Sequence, residues 1–468
     1  MEYTPLFAFN GINRYISSFM LEGGELSNLQ NYSLDKIGIL KKSYDYTKKG
    51  STITGGYDVL GGIDFFRSSG THDHIVAVDG PSAANIYKYV GSSWTSQGLS
   101  LTAGNRVRFE YVPTIDTLFY TNFVDAVGSY DGSTWSTSTN VTGAPKGKIP
   151  IYFGSRMYLF NVDVSGTLYP DRGYRSSLID TGATWDADDY FFFGDVITGA
   201  GLNGDNLMVF CESSAHILTL ADEKYPVSNK GCVSHEGIVS YGKWTFYPSR
   251  DGYYGFNGAE DVNISLPLKE YWDALTETNL RNIQASLYRE HVYVYVGDVT
   301  IDGETITNVV FDYNILQNNW TLASLKSGVK NMHTYVTTSG KKLFFGDNNG
   351  AVYQLFSGSG QQDGNNYSSS IETHWMYGSS PLVLDDFYEI WGFGNDLSAI
   401  KVFYKTETEG DWLPLGELTE DTDVVKFHKR AYRIKFKFIE TSGKNLFNIE
   451  RFDIGYEPGY ERITDDDK

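Results

Sequence analysis

The stretch GSYDGSTW at residues 128–135 joins an aromatic strand, an Asp-Gly turn and a tryptophan. Residues 86–94 follow the same order, from an aromatic strand through a glycine to a tryptophan, and Trp135 lies 41 residues after Trp94. A third copy runs over residues 309–320 and again ends in tryptophan. Tyrosine, phenylalanine and tryptophan favour strands, and Asp-Gly favours the tight turns that join them. The stretch is therefore one unit of a β repeat.

Two further copies keep the aromatic strand without the tryptophan, at residues 252–258 and 350–355. Phe256 and Phe311 are 55 residues apart, and Phe311 and Leu355 are 44 apart. A period of this size, filled with short strands, is typical of a four-stranded propeller blade. Helical repeats of similar length would show a 3.6-residue periodicity, which this chain lacks. The repeat predicts an all-β fold built around a β-propeller.

The repeat divides the chain into eight units, of which the first and the last are incomplete. They lie near residues 30–70, 73–98, 100–138, 145–188, 190–222, 232–262, 282–323 and 330–358. One blade assembled from both ends of the chain would close the ring and leave no open strand edge. The prediction is therefore a propeller of about seven blades over residues 30–358.

Equivalent positions in the units are predicted to be structural. The recurrent aromatic or aliphatic positions, expected in blade cores, are Tyr89, Tyr130, Phe256, Phe311 and Leu355. The positions expected at turns or blade ends are Trp94, Asp131, Trp135, Asn257, Asp312 and Trp320.

Beyond the repeat, a polar, glycine-rich connector at residues 357–364 precedes a change of character. Residues 400–404 and 433–438 alternate apolar and polar side chains, and residues 447–454 read as a further strand. This pattern predicts a small C-terminal β-sandwich over residues 366–460, followed by an acidic tail at 461–468.

Within the repeat, residues 268–275 follow a proline and place four apolar side chains on one helical face, which predicts a short helix between two blades.

Composition excludes several classes of protein. The 468 residues are 41% hydrophobic and 15% aromatic, which is too apolar for a disordered chain. A net charge of −20 disfavours tight binding to nucleic acid or anionic lipid, because phosphate binding needs clustered cations. Two cysteines, Cys211 and Cys232, cannot form a disulfide framework and are expected to be reduced and buried. We find no signal peptide and no membrane span, so synthesis in a cytoplasm is expected.

Partial catalytic motifs fail in context. Residues 199–204 match GxGxxG, but the segment after them continues as a strand, whereas a dinucleotide site needs a helix there. Residues 237–243 imitate a phosphate loop, but Trp244 stands where a serine or threonine would hold magnesium. Residues 129–135 are one residue short of the sialidase Asp-box. The sequence therefore predicts no catalytic centre, no metal and no cofactor.

Several segments resemble the tail-nozzle, or tail-stabilisation, proteins of short-tailed bacteriophages. Residues 31–44 are similar to the family's N-terminal "N…D…G.L.KR.GY" segment, although Lys42-Ser43 replaces the usual Arg-Pro or Arg-Gly pair. Residues 231–258 resemble its "GC.S…V…S.DG.Y.FDG" blade, and residues 311–320 its "YDY…NW" blade end. The C-terminal segment that ends at residues 453–458 also looks like theirs. The resemblance covers nearly the whole chain in the same order.

This resemblance implies a structural virion protein with no catalytic residues. Such proteins form a ring, usually of six copies, which extends the DNA-ejection channel below the portal and adaptor. The implied partners are further copies of the chain in a hexamer, the portal and adaptor proteins, and tail fibres or tailspikes. The implied location is the virion tail, after synthesis in the host bacterial cytoplasm. Six copies, each with a charge of −20, would carry −120, and a wall with the sign of DNA would not retain it by sequence-independent attraction.

Two alternatives remain open at the level of sequence. The surplus of tyrosine and tryptophan could stack on sugars in a tail-tip module that binds host glycans, although most of these rings must form blade cores. A propeller glycosidase is the third alternative, but 58 acidic residues produce chance carboxylate pairs, and no pair stands out.

Self-association is expected to use elements outside the propeller, either an N-terminal arm at residues 1–29 or the C-terminal sandwich, and the arm is the preferred candidate. It is rich in apolar side chains yet too short to bury them alone, and such a patch is rarely left exposed on a monomer. We expect it to pack on a neighbouring subunit or on the adaptor; the alternative is that it folds back on its own propeller. The candidate interface residues are Phe7, Phe9, Ile12, Tyr15, Ile16 and Phe19, flanked by Leu6 and Met20.

Overall fold

The computed structural model describes residues 1–18, 20–21, 23–139, 141–179, 183–395, 397, 399–441 and 447–459. The predicted acidic tail, residues 461–468, lies outside this part of the chain. Nearly every regular element in the described residues is a strand.

Five strands precede the first complete repeat: β1 (Glu2–Phe7), β2 (Asn28–Gln30), β3 (Tyr32–Lys36), β4 (Ile39–Lys42) and β5 (Tyr46–Lys48). The repeat region begins with β6 (Val59–Phe66), β7 (His72–Val78), β8 (Asn85–Val90), β9 (Ser93–Ser96), β10 (Arg108–Val112), β11 (Thr117–Thr121), β12 (Gly128–Tyr130), β13 (Trp135–Ser136), β14 (Lys146–Phe153), β15 (Arg156–Val164), β16 (Thr167–Ser176), β17 (Trp185–Phe192), β18 (Ile197–Asn203), β19 (Asn206–Cys211), β20 (Ala215–Leu218) and β21 (Lys224–Ser228). It continues with β22 (Val239–Tyr241), β23 (Trp244–Ser249), β24 (Gly252–Phe256), β25 (Asp261–Asn263), helices α1 (Lys269–Asp273) and α2 (Glu277–Arg281), then β26 (Gln284–Tyr288), β27 (His291–Ile301), β28 (Glu304–Asn314), β29 (Asn319–Ser324), β30 (Asn331–Thr337), β31 (Gly340–Gly346) and β32 (Val352–Leu355). The last strands are β33 (Ser369–Glu372), β34 (Asp385–Asn395), β35 (Ile400–Thr406), β36 (Leu413–Leu418), β37 (Val424–Ala431), β38 (Ile434–Glu440) and β39 (Asn448–Glu457).

Seven antiparallel units of four strands form the blades of a propeller. Blades 1 to 6 are β6–β9, β10–β13, β14–β17, β18–β21, β22–β25 and β26–β29, and blade 7 combines β30–β32 with β5. The first strand of each blade contacts the first strand of the next, and β30 contacts β6 to complete the circle. The predicted all-β propeller is therefore correct, with seven blades.

Strand β5 closes the ring by pairing antiparallel with β32, so that Tyr46 lies opposite Leu355. The Tyr46 ring is fully buried and lies 5.1 Å from the rings of both Phe345 and Tyr353. The units predicted at residues 30–70 and 73–98 are not separate blades, because β6 to β9 form one sheet that begins at Val59. Strands from both ends of the repeat combine in blade 7, where β5 joins β30–β32.

The C-terminal strands form a two-sheet sandwich together with N-terminal strands. One sheet has the order β3-β4-β39-β34-β37, with β1 also paired to β39, and the other has the order β2-β33-β38-β35-β36. The prediction of a separate arm over residues 1–29 and of a blade beginning at residue 30 is therefore wrong. The reason is that β39 pairs with β1 and β4, at the opposite end of the chain, and no local pattern in the sequence reports such a pairing.

The propeller and the sandwich are continuous. Strand β2 pairs with β29 of blade 6 through Gln30 and Leu322, and on its other side with β33, so that blade 6 and one sandwich sheet form nine consecutive strands. One hydrophobic core spans the junction and includes Leu29 of β2, Phe311 of blade 6 and Phe438 of the sandwich. The two lobes are therefore joined by backbone pairing and by a shared core.

The predicted helix is present but short. A 3₁₀ turn over Leu266–Leu268 leads into α1, and the four side chains predicted to share one face (Leu268, Tyr271, Trp272 and Leu275) are all buried. A second helix, α2, follows after Thr276, whose side chain accepts a hydrogen bond from the Asn279 backbone N–H. Both helices connect blade 5 to blade 6.

The two cysteines are unbridged. Cys211 and Cys232 are both buried. Burial raises the pKa of the Cys211 thiol to about 12, and it raises the pKa of Cys232 as well. Both side chains therefore act as apolar packing groups at neutral pH.

Candidate functional site

The axis of the propeller, where ligands could enter a ring of blades, is crossed by an ion-pair network. Arg108 at the start of β10 donates from Nε to Glu236 Oε1 at 2.7 Å, and from Nη1 to the Lys148 carbonyl oxygen at 2.9 Å. Arg106, two residues earlier, donates from Nη1 to Gln284 Oε1 at 3.1 Å. Arg108, Lys148 and Gln284 belong to blades 2, 3 and 6, and Glu236 lies in the 3₁₀ turn His235–Gly237 between blades 4 and 5, neither of which neighbours blade 2. The contacts therefore bridge the centre of the ring.

Electrostatics favours this bridge. Burial alone would raise the pKa of Glu236, but the guanidinium groups of Arg108 and Arg106 hold it well below its usual range. Burial lowers the pKa of the adjacent His235 to about 4, so that this ring is neutral at pH 7. The axial carboxylate is thus charged and paired, and the network locks opposite blades together.

A second candidate site is a cavity of about 430 Å³, which we call the Tyr44 pocket. Its lining residues are Asp35, Lys41, Ser43, Asp45, Tyr288, Arg289, Glu290, His291, Tyr293, Asn314, Leu316, Gln317, Phe356 and Gly358. It takes its name from Tyr44, which is buried directly behind this lining against Tyr293 and Phe356. The pocket combines carboxylates, cations and aromatic rings at one place.

A buried hydrogen-bond chain lies behind the pocket wall. Tyr44 Oη donates to Asp312 Oδ2 at 2.6 Å, and His291 Nδ1 lies 2.6 Å from Asp312 Oδ1. Because a carboxylate only accepts, the Nδ1–H of His291 is the donor. Burial lowers the pKa of His291, but the Asp312 carboxylate outweighs it and raises the pKa above its ordinary value. The His291 Nε2 atom lies 3.8 Å from Asp35 Oδ1 at the pocket.

The backbone at the Tyr44 pocket is unusual. Tyr44 and Phe356 adopt φ angles of 75° and 57°, and Arg289 and Glu290, in the turn between β26 and β27, adopt 51° and 63°. Bulky residues rarely occupy the left-handed region, and such residues concentrate at functional sites. Three of these residues line the cavity, and the fourth, Tyr44, lies directly behind its wall.

A histidine pair lies at the seam between blades 7 and 1. His74 Nε2 and His333 Nε2 are 2.7 Å apart, and His333 Nδ1 lies 2.7 Å from Asn331 Oδ1. If both rings are neutral, His333 donates to the asparagine and accepts from His74. Burial lowers the pKa of His333 to about 3 and that of His74 well below its ordinary value. The lack of a side chain at Gly62 leaves room for the His333 ring.

The predicted blade-core positions all lie on the third strands of their blades. Tyr130, Phe256, Phe311 and Leu355 are at most 3% exposed, whereas Tyr89 is half-buried. These side chains therefore pack inside or between blades.

The three repeat tryptophans lie on fourth, outer strands. Trp320 is buried, and its Nε1 donates to the Ile264 carbonyl oxygen at 2.6 Å. Trp94 and Trp135 are half-buried, and Trp135 stacks on Tyr130 with ring centroids 4.1 Å apart. Their rings cover blade cores at the rim of the propeller.

The polar repeat positions do not share one role. Asp131 Oδ1 accepts hydrogen bonds from the backbone N–H groups of Ser133 and Thr134, and Asn257 Oδ1 accepts equivalent bonds two and three residues on. Asp312 lies inside β28, where it binds His291 and Tyr44. The first two residues therefore stabilise turns, and Asp312 stabilises the interior of blade 6.

The predicted interface residues separate into buried and exposed sets. Leu6, Phe9 and Ile12 are each only 2% exposed and belong to the shared core, so they are not available to a neighbour. Phe7, Tyr15 and Met20 are 51%, 58% and 71% exposed, and Ile16 is half-buried. Phe19 lies outside the described residues. The arm therefore packs on its own chain through one side, and the assembly role of its exposed side chains stays a prediction.

Sequence reasoning missed the axial network and the Tyr44 pocket. Arg106, Glu236 and His291 stand in no recognisable motif. Arg106 and Glu236 meet partners from other blades, and His291 lies between Asp312 of its own blade and Asp35 of β3. The sequence signals near these sites are the segments at residues 31–44, 231–258 and 311–320, which we interpret only as a resemblance to tail-nozzle proteins. Within the described residues, no helix is long and apolar enough to cross a membrane.

Comparisons with known proteins identify the fold only. No family model matches the chain, and no curated protein matches it. Among solved structures, it is similar to YCF48 bound to D1 peptide, at 10% identity and a TM-score of 0.41, over 69% of this chain and 96% of that one. It is also similar to virginiamycin B lyase from Staphylococcus aureus, at 11% identity and a TM-score of 0.43, over 68% of this chain and 98% of that one.

Proposed function

We propose that the chain is a structural subunit of a short-tailed phage tail, which assembles as a homo-oligomeric ring and extends the DNA path below the portal and adaptor. The observation that carries this proposal is the position of the segments that resemble nozzle proteins. Although they lie far apart in sequence, members of each pack in one hydrophobic core. These members are Leu34 and Leu40 from the N-terminal segment, Tyr253 from blade 5, Phe311, Tyr313 and Trp320 from blade 6, and Ile454 and Tyr456 from the C-terminal segment.

The continuous junction between the lobes supports a structural role. Nine strands run without interruption from blade 6 into the sandwich, and Lys42 of β4 forms a buried ion pair with Glu440 of β38 that joins the two sandwich sheets. Breaking a buried ion pair is costly, so this contact resists separation of the sheets. A two-lobed body without a flexible linker suits a wall subunit better than a mobile binding module.

The ion-pair network across the propeller axis limits where DNA could pass. Because Arg106, Arg108 and Glu236 cross the centre of the propeller, a channel in the assembled ring would run between subunits and not through one propeller. A subunit charge of −20 would give that channel the sign of DNA, which disfavours retention of the passing genome.

Electron microscopy and mass photometry of the full chain, with and without its adaptor, test the proposal. We expect closed rings with a central opening, and a mass that is a small integer multiple of the subunit mass. Single two-lobed particles at every concentration, also in the presence of the adaptor, would contradict it.

The exposed side of the N-terminal segment is the predicted adaptor contact. We expect the double variant Phe7→Ser/Tyr15→Ser to weaken docking to the adaptor at least about tenfold, because exposed aromatic side chains often anchor interfaces. Leu316→Ser, at a side chain that is 71% exposed elsewhere on the surface, is the control. Unchanged docking of the double variant, measured by surface plasmon resonance, would remove this segment from the interface.

The Tyr44 pocket favours a second candidate function, the binding of a host saccharide. Asp35 and Glu290 offer carboxylates to sugar hydroxyls, and the half-buried Phe356 offers part of a ring face. Screening the protein against a glycan array, with Asp35→Asn as the comparison variant, tests this role. Binding that the variant loses would support it, and no binding to any glycan would count against it.

A further inference from the structure

Two strands, one in the propeller and one in the sandwich, carry opposite charge. Strand β17 is the outer strand of blade 3 and contains three aspartates and no cation. Strand β37 is the edge of one sandwich sheet and contains two lysines, an arginine and a histidine, but no carboxylate. In a chain with a charge of −20, a basic edge strand is unexpected. The two strands therefore form a complementary pair of surfaces.

Each strand presents a surface of one charge. On β17, Asp186 and Asp188 are exposed, together with Tyr190 and Phe192, which are 39% and 54% exposed. The aspartates lie where the pairing of β16 with β17 is irregular, between Trp185 and Tyr190. On β37, the exposed residues Lys426, His428 and Arg430 alternate with less exposed residues. The two surfaces can therefore attract each other when strands from two copies meet.

Neighbouring side chains hold the β17 face in place. The Arg172 guanidinium lies 4.4 Å from the centre of the Tyr190 ring and 3.9 Å from that of Tyr169. Asp189, on the other face of the strand, pairs with Arg175 Nε at 2.7 Å. The Tyr190 side chain is therefore already ordered by Arg172, so less side-chain entropy is lost when a partner covers it.

The β37 face is similarly ordered. The His428 ring stacks on Tyr388 of β34 with centroids 4.9 Å apart, and its Nε2 lies 3.0 Å from Asp386 Oδ1. Arg430 Nε lies 3.9 Å from the same carboxylate. Each face thus combines exposed charge with an aromatic ring.

The two surfaces lie on different parts of the chain. The sandwich is joined to blade 6, and β17 lies on blade 3, three blades away in a ring of seven. A contact between these unlike surfaces joins subunits head to tail, and head-to-tail contacts give closed rings when the rotation between subunits closes.

We propose that the occupant of each face is a second copy of this chain, with β17 of one subunit packed against β37 of the next. This inference rests on the proposed ring function and deepens it, because it names the joint. The apolar surface of Tyr190 and Phe192 contributes buried area, and the opposite charges favour the contact between unlike faces and exclude pairing of like faces.

Charge reversal and mixing test the joint. The acid-face variant is Asp186→Lys/Asp188→Lys, and the base-face variant is Lys426→Glu/Arg430→Glu. Each should raise the concentration for half-assembly at least about tenfold, because like charges then face each other. An equimolar mixture of the two variants should assemble. The lysines introduced on β17 of one variant then meet the glutamates introduced on β37 of the other, and the unchanged faces also carry opposite charges.

Matched controls place equal charge changes elsewhere on the propeller. Asp205→Lys/Glu260→Lys and Lys243→Glu/Lys341→Glu alter exposed residues at turns of blades 4 and 5 and at the start of β31 in blade 7. They should assemble like the wild type in analytical ultracentrifugation. Thermal unfolding verifies that every variant is folded, and Asp188→Asn with Lys426→Gln replaces any reversal variant that is not.

The outcomes separate this joint from the proposed function. Wild-type rings with unaffected reversal variants, or a mixture that does not assemble, would overturn the joint and leave the ring function standing. A wild-type chain that stays monomeric at every concentration and with the adaptor would overturn both. If each variant alone fails to assemble and the mixture of the two assembles, the result supports the joint.

Discussion

At the scale of single residues, Phe311 provides the clearest test of the blade cores. It is completely buried on the third strand of blade 6, with its ring 5.9 Å from Tyr271 and 6.4 Å from Trp320. We expect Phe311→Ala to lower the free energy of unfolding by about 3–5 kcal/mol, through lost burial and the cavity that remains. Urea unfolding measures this loss. Leu316→Ala, at an exposed turn beside the same strand, should change it by less than about 0.5 kcal/mol, and a similar effect of both changes would contradict the core assignment.

The seam histidines predict acid sensitivity. Burial lowers the pKa values of His74 and His333 in the folded state, while the unfolded chain retains values near 6.5. The unfolded state therefore binds more protons below pH 6.5, and stability present above that pH is lost as the pH falls. Each histidine that titrates only on unfolding contributes a slope of up to about 1.4 kcal/mol per pH unit. Chemical unfolding at pH values between 5 and 7 measures the slope.

A variant isolates the seam from other titrating groups. Burial raises the pKa of Glu110 to about 8, and this contribution has the opposite sign, since it is lost as the pH rises. His74→Phe keeps an aromatic ring against Tyr335, which stacks on His74 at 4.2 Å, but removes one titrating group. We expect a shallower dependence between pH 5 and 6.5 than in the wild type. An unchanged slope would mean that His74 does not titrate on unfolding.

At the scale of elements, β5 is the strand on which ring closure depends. It supplies only three residues to blade 7, of which Tyr46 is fully buried and donates from Oη to Ser327 Oγ at 3.2 Å. We expect Tyr46→Ala to speed amide hydrogen exchange in blade 7 far more than in blade 4, because only blade 7 loses its outer strand. Mass spectrometry of peptides from both blades measures this difference. Equal acceleration in the two blades would mean that the ring opens as a whole.

At the scale of the whole molecule, the shared sheet predicts cooperative unfolding. Leu29 of β2 is completely buried between blade 6 and the sandwich. We expect one calorimetric transition for the wild type, and we expect Leu29→Ser to destabilise both lobes together. Leu382→Ser, at a side chain that is 82% exposed, is the control. Two separate transitions, with only one moved by Leu29→Ser, would show that the lobes are independent domains.

Local pattern was sufficient for the class of fold and for the repeat. Aromatic strands ending in Asp-Gly or Asn-Gly turns specify hairpins, because strand propensity and turn geometry depend on neighbouring residues alone. A regular spacing of such hairpins then indicates blades, and the need to cover strand edges predicts a ring closed from both chain ends. The alternations at residues 400–404 and 433–438 likewise predicted β35 and β38 of the sandwich.

Tertiary structure alone decided how distant segments pair. That β1 and β4 join β39, that β2 fuses blade 6 to the sandwich, and that Asp312 binds His291 and Tyr44 are contacts between segments far apart in the chain. Several partners of similar hydrophobic character compete for each strand edge, and the choice depends on the summed packing of the whole core. No short stretch of sequence contains that sum, which is why the arm was assigned to assembly and the axial network was not foreseen.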